Sequence, residues 1–446
     1  MNSRIRHAWT GLRGTFWFVP ALMVAGAVLL AVASLAVDTG LTGTDLPGWL
    51  KGGGADGARA LLSTVAGSVV TVAGVAFSIT IVALVLASTQ FGPRLLSLFM
   101  RDVVSQATLG VFTGTFVFCL LVLRSIRGPD EGGEFVPQLS VSIAVGLTLL
   151  SVAVLVFFFH HVAVAIQAPR LVSAVARDLD HAIDRLAKPV GGRPGPAPSS
   201  PDAASDDAGA TVLARETGYV QVSDDRSLFA LAEAEDLHVR LLTRPGLFVV
   251  SGNPIAIARP GARLTDAIAD RVRATMIIGP VRTSEDDIEY SIRQLVEVAL
   301  RALSPAINDP FTAMAAIDWL GAAIGRLAET DLPARHRYDD RGVLRITADV
   351  STFGGIVHTV FSRIRHYGGT SPVVLNRLLE AVAAFGPRVR TQEDRLLIRD
   401  ETEAVLRMGR DLITSQSDLR ELERRHTAAL AALGAQPGHV EDSGRV

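Results

Sequence analysis

The sequence predicts an α-helical membrane domain of four transmembrane helices followed by a cytoplasmic α+β region, and three observations predict it. Four long apolar segments, Phe16–Val37, Ala60–Ala87, Ala107–Leu123 and Leu139–Ile166, contain no Asp, Glu, Lys or Arg. From residue 171 onward the composition turns to that of an ordinary charged, soluble chain. In that second half, short alternating β-branched runs come first and apolar stripes at helical spacing follow.

Each apolar segment meets or approaches the roughly 20 residues needed to cross a ~30 Å hydrocarbon layer. A soluble helix normally keeps one face for water, which these segments lack. Mean hydropathy is +0.34. Net charge is −2, so no basic footprint for nucleic acid stands out. The first segment follows Arg4, Arg6 and Arg13 and exceeds the roughly 7–15 apolar residues of a signal peptide, so it reads as a retained anchor.

Four spans place both termini on one side. Arg4, Arg6, Arg13, Arg94, Arg101, Arg170, Arg177 and Arg185 lie on that side, against Lys51, Arg59, Arg124 and Arg127 on the other. The excess of positive charge predicts cytoplasmic termini and a multi-pass protein of the plasma membrane.

The second span carries the most information. At 100° per residue Thr64, Ser68, Thr71 and Ser78, with Thr89, share one sector, flanked by Gly67 and Gly74. Two readings stay open: a face lining a narrow hydrated path, or a close helix–helix contact in which small residues permit near approach. The spans lack the buried ionisable group that ion- or proton-coupled transport usually needs. Gly110-Val-Phe-Thr-Gly114 is a small-xxx-small step that favours tight packing, and His160 and His161 read as polar caps closing the fourth span. The single cysteine, Cys119, has no intrachain disulfide partner.

After an exit helix to about Leu186, residues up to 210 are Pro/Gly/Ser/Asp-rich and read as a disordered linker. Residues 211–283 read as a small all-β module, punctuated by Pro245-Gly246, Gly252-Asn253-Pro254 and Pro260-Gly261. The run Pro245–Ile255 resembles the hammerhead half of biotinyl/lipoyl-like barrel-sandwich hybrids. The module holds no acceptor lysine, so no cofactor is expected on it. Residues 284–433 read as helical, opening on a capping box, Ser284-x-x-Asp287. Glu289, Arg293, Glu297 and Arg301 form an i, i+4 charge row. Asp309 with Pro310 reads as N-cap and first helical residue, and Asn308 and Asp309 read as turn and cap, with a ligand or cation role as the alternative. Residues 434–446 read as a disordered tail.

Longer motifs carry a family resemblance. The run Ala76-Phe-Ser-Ile-Thr-Ile-Val-Ala-Leu-Val-Leu-Ala-Ser-Thr-Gln-Phe-Gly-Pro-Arg94, then Phe99-Met-Arg-Asp102, Gln106-x-x-Leu-Gly-x-Phe112, and Arg293-Gln-Leu through Ala302-Leu-Ser-Pro-Ala-Ile-Asn-Asp-Pro310 resembles the bacterial predicted-membrane-protein family called domain of unknown function 2254. The resemblance implies the same membrane-plus-cytoplasmic layout. It supplies no activity, substrate or catalytic residue. Ser304, Pro305, Asn308, Asp309 and Pro310 belong to its motif and read as structural.

Chemistry is sparse. Gly52-Gly-Gly54-Ala-Asp-Gly57 matches G-x-G-x-x-G but follows no strand. His358 and His366 lie about two helical turns apart, too far to share a metal unaided. No catalytic, cofactor-binding or metal residues are expected, and the chain is not expected to be an enzyme. The expected function is a homo-oligomeric, channel-like conduit with a cytoplasmic regulatory domain. The alternative is a membrane-anchored scaffold or sensor whose spans only pack. The expected partners are the lipid bilayer and further copies of the chain.

Overall fold

Among the described residues before Arg170, long apolar stretches bounded by Gly, Pro and Asp give four long helices: α1 (Phe18–Gly40), α2 (Ala55–Phe91), α3 (Val103–Ser125) and α4 (Gln138–Ala165). The computed structural model describes residues 16–40, 54–92, 102–128, 135–165, 167–187, 191–197, 209–284, 286–368 and 371–434. It divides into two units, Met1–Arg170 and Leu171–Val446. The arginines counted at Arg4, Arg6, Arg13, Arg94 and Arg101, Lys51, and the tail from residue 435 lie outside the described residues.

In the first unit α3 is the central helix, with Phe112, Phe118, Cys119 and Val122 buried. A Cβ added at Gly110 would collide with Met23 of α1 and one at Gly114 would already touch Ala27, so the small-xxx-small step is a packing step. The outward surface is apolar: Leu29, Val32, Val82, Leu149, Val156 and Phe157 are all exposed. That is the reverse of a soluble bundle and suits a hydrocarbon surround, where helices satisfy their backbone groups internally. α2 ends at Gly92, whose amide still bonds the Ser88 carbonyl while its φ of 114° turns the chain out of the helix.

The second unit opens with α5 (Ala168–Leu186), which buries Leu171, Val172, Val175, Leu179 and Ile183 along one stripe. Strands and helices follow in order: β1 (Arg193–Pro194), β2 (Ala210–Leu213), β3 (Gly218–Ser223), α6 (Asp225–Ala234), β4 (His238–Leu241), β5 (Phe248–Val249), β6 (Pro254–Arg259), α7 (Asp266–Ala274), β7 (Met276–Gly279), α8 (Ile288–Ala302), α9 (Pro310–Glu329), β8 (His336–Tyr338), β9 (Leu344–Thr347), α10 (Phe353–Gly368), α11 (Pro372–Phe385), α12 (Gln392–Leu412) and α13 (Gln416–Gly434). One sheet has the order β1-β8-β9-β4-β6-β2 and the other β5-β3-β7. Val212, Val239, Leu241, Ala256, Ala258 and Ile346 pack with Leu228, Leu231, Ala232 and Val272 of α6 and α7, so one face of the larger sheet is core.

Several expectations are corrected here. The 211–283 module is not all-β, because α6 and α7 close its core. Nor does it end at 283: β8 and β9, more than fifty residues further on, supply two of the six strands of its larger sheet, with β9 parallel to β4. Two separate sheets, the larger containing a parallel β4–β9 pair, do not make a barrel-sandwich hybrid. The stretch read as linker contributes β1, paired with β8 through Arg193 and Pro194. Asp287, not Ser284, caps α8, its side chain accepting from the Tyr290 amide. The helical stretch from Gln392 is interrupted after Leu412, and the missing side chain of Gly409 makes room for Leu422 of α13.

Among the described residues, five helices are long and apolar enough to cross a membrane: α1 to α4 and α9. More than half of the apolar window of α9 is buried inside the second unit. Its Arg326 bonds Asp180 and Asp184 of α5, and its Asp318 bonds Arg377 of α11.

Candidate functional site

The polar sector of α2 faces away from its own bundle. Leu62, Ala66, Val69, Ala73 and Ala76 are the buried side of this helix, while Thr64, Ser68, Thr71 and Ser78 are exposed. Three hydroxyls bond back to their own helix: Thr64 to the Ala60 carbonyl at 2.7 Å, Thr71 to Gly67 at 2.9 Å and Ser78 to Gly74 at 2.8 Å. Thr89 does the same with Leu86 at 2.9 Å. Such back-bonding removes the hydroxyl proton from the outward surface. Around Gly67 and Gly74 an added Cβ would meet nothing within 4 Å. Sequence reasoning placed these residues on one side of one helix, and the structure brings them together there without any intrachain cover among the described residues.

Two polar clasps inside the bundle escaped sequence reasoning. Asp38, in the last turn of α1, is buried and receives the amides of Leu139 and Ser140 at 3.0 Å each. Ser140 Oγ donates to it at 2.6 Å, and Ser34 Oγ lies 2.9 Å from Ser140 Oγ. One helix thereby caps the first turn of another, where orphan amides need acceptors. Asp38 falls just past the apolar run, so on sequence it reads as a loop residue. The second clasp is Asp102, the N-cap of α3, which accepts from Val104 and Ser105 amides and meets His161 Nε2 of α4 at 2.9 Å. His161 is therefore more than an interfacial cap: it ties the end of α4 to the start of α3.

The family-like motif forms the corner between α8 and α9. Asp309 caps α9, accepting from the Thr312 amide at 3.1 Å, with Pro310 as first helical residue. Asn308 takes a left-handed φ of 49°, a conformation asparagine tolerates better than most residues. Ser304 closes the turn by accepting the Asn308 amide at 2.9 Å. Pro305 is exposed, as are Ile307 and Phe311. His358 lies 2.6 Å from Glu401 and does not join His366. Among the described residues no group of three or more His, Cys, Asp or Glu is placed to hold a metal.

The second unit settles its charges in pairs. Arg282 holds the buried Asp287 at 2.9 Å. Burial pushes the Asp287 carboxyl above the usual range, against the lowering by that guanidinium. Glu289 is also burdened by burial, but Arg244, the Ser351 hydroxyl and Arg293 hold it below the ordinary range. Hydrogen bonds from Arg263 and Arg345 bring Asp236 down to about 2.

The family described as Predicted membrane protein (DUF2254) matches residues 13–384. The chain belongs to this family. Curated relatives agree: uncharacterized proteins of Mycobacterium bovis and Mycobacterium tuberculosis are each 32% identical over 419 residues, covering 91% of this chain and 78% of theirs. No solved structure matches the chain. Family membership therefore supports a membrane protein and adds no chemistry to the α2 face.

Proposed function

We propose that this family member is a non-enzymatic, self-associating plasma-membrane protein in which copies meet through the Thr64/Ser68/Thr71/Ser78 face of α2. Four spans, with both termini and the second unit cytoplasmic, complete the reading. Four rather than five is supported by the burial of α9 and its ion pairs to α5 and α11. The orientation rests on the positive charge flanking one side of the spans.

The observation that carries the reading is the open space beside Gly67 and Gly74 on a helix whose other exposed residues are mainly apolar. Small residues let two helices approach closely and gain packing that lipid does not supply. Because three of the four hydroxyls there, Thr64, Thr71 and Ser78, are satisfied by their own helix, a dry contact between copies is favoured over a water-lined one. The function is then that of a membrane scaffold or sensor, with the second unit as its regulatory part. A conduit between copies is the second reading, favoured by the gathering of the hydroxyls on one side.

Gly67→Leu with Gly74→Leu tests it, since the fold has room for both side chains. Energy transfer between labelled copies in lipid vesicles is expected to fall to the level of random encounters, with helix content unchanged. Undiminished transfer would refute the contact. Altered ion flux through vesicles carrying Ser78→Trp, with folding intact, would move the reading to the conduit.

A further inference from the structure

The face of the larger sheet opposite α6 and α7 gathers two arginines, Arg240 and Arg259, without acidic partners among the described residues. His238 and Arg259 are directly opposite each other on β4 and β6, as are Arg240 and Ile257. Arg240 also stands beside Thr347 on the parallel strand β9, and His336 of β8 is opposite Thr347 on the other side. Residues opposite in register share a face, so these side chains form one patch across four strands. The alternate residues Val239, Ala258 and Ile346 point into the core.

Two imidazoles converge on one hydroxyl. His238 Nε2 is 2.9 Å and His336 Nδ1 is 3.3 Å from Thr347 Oγ1. Arg240 is exposed, and neither it nor Arg259 has an acidic partner among the described residues. The Nε of Arg259 is buried and has no acceptor among the described residues. Elsewhere in this unit arginines pair with carboxylates: Arg345, on the same strand as Thr347, already bonds Asp236 and Asp339. Burial lowers both imidazoles, helped at His238 by Arg259, His336 and Arg240 and at His336 by Arg335, so the positive charge of the patch rests on its arginines.

We infer that this face is a binding site for a soluble phosphate-bearing anion, held by Arg240 and Arg259 with His238, His336 and Thr347 supplying further hydrogen bonds. Phosphate fits better than a lone carboxylate. Two guanidinium groups on adjacent strands match a dianion with several acceptor oxygens, whereas one carboxylate satisfies one guanidinium fork. An imidazole N–H and a threonine hydroxyl can each donate to a remaining oxygen. The unacceptored Arg259 Nε is the kind of buried donor that a ligand oxygen would satisfy.

The test is calorimetric titration of the full-length protein, in micelles of uncharged detergent, with inorganic phosphate at constant ionic strength. Saturable binding that chloride does not reproduce is expected. Arg240→Gln and Arg259→Gln should each weaken it roughly ten- to a hundredfold, the loss of one charge-assisted hydrogen-bonding group, and together they should abolish it. Arg407→Gln, an exposed arginine on α12, should bind as the parent does. If the double variant melts earlier than the parent without phosphate, Arg240→Lys with Arg259→Lys keeps the charge and should retain measurable affinity. Absence of saturable binding in the parent, equal response to chloride, or unchanged affinity in the double variant would overturn the assignment.

Discussion

The two units handle a buried aspartate differently. In the membrane unit Asp38 is served by two backbone amides and a serine hydroxyl, with no ion pair among the described residues. In the second unit Asp287 caps its own helix and also takes an arginine, Arg282, stacked over Tyr290. A cation drawn into an apolar surround brings its own desolvation cost. The amides of a helix's first turn are there regardless and need an acceptor in any case. An apolar unit therefore gains more from capping one helix with another than from pairing charges, and a soluble unit can use either.

Removing one partner from each arrangement would sharpen that contrast. Arg282→Ala is expected to cost the most, roughly 3–5 kcal/mol, because it leaves Asp287 buried and unpaired. Asp287→Asn in the same chain should recover part of it. Equilibrium unfolding of the full chain in detergent reads both, and a loss under about 1 kcal/mol would mean that the pair is not buried in solution. Asp38→Ala should cost about 2–4 kcal/mol through two amides and a hydroxyl left without an acceptor, with Asp38→Asn milder. A neutral outcome at Asp38 would break the comparison.

The third prediction concerns pH and the second unit alone. Burial pushes the His238 imidazole down to about 4 from 6.5, helped by Arg259, His336 and Arg240. As pH falls from 6.5 toward 4, the unfolded chain takes up a proton here that the folded chain does not. Stability that is fully present above 6.5 is therefore lost on acidification. His238→Gln should flatten the melting temperature across that window while Thr71→Ala leaves its slope unchanged. At neutral pH Thr71→Ala should also have the smallest effect on stability, within about 0.5 kcal/mol, since its hydroxyl bonds only its own helix.

The sequence made the spans legible because length and unbroken apolarity are local properties. The α2 sector was legible for the same reason, as helical periodicity alone orders Thr64, Ser68, Thr71 and Ser78. Asp309 announced its cap through Pro310 behind it. Asp38 did not, because its acceptor role depends on Leu139 and Ser140, about a hundred residues away. The same distance hid the parallel pairing of Val239 with Ile346, and with it the patch around Thr347. Local turn signals at Pro245 and Gly252 described a β module but could not show that its sheet is completed from beyond α9. The capping box misled by three residues because Ser284 and Asp287 are both good caps, and Arg282 favours the second by bonding it.

The contact between copies at α2 is tested most directly by cysteine crosslinking in native membranes. Ser68→Cys, Thr71→Cys and Ser78→Cys would each be made in a Cys119→Ser background, with Phe77→Cys, exposed on the neighbouring side of the helix, as reference. Strong crosslinks between copies at the three sector positions and weak ones at Phe77 are the result expected here, with little labelling by a water-soluble thiol reagent. Crosslinking at Phe77 as strong as in the sector, or none at the sector positions, would contradict the account.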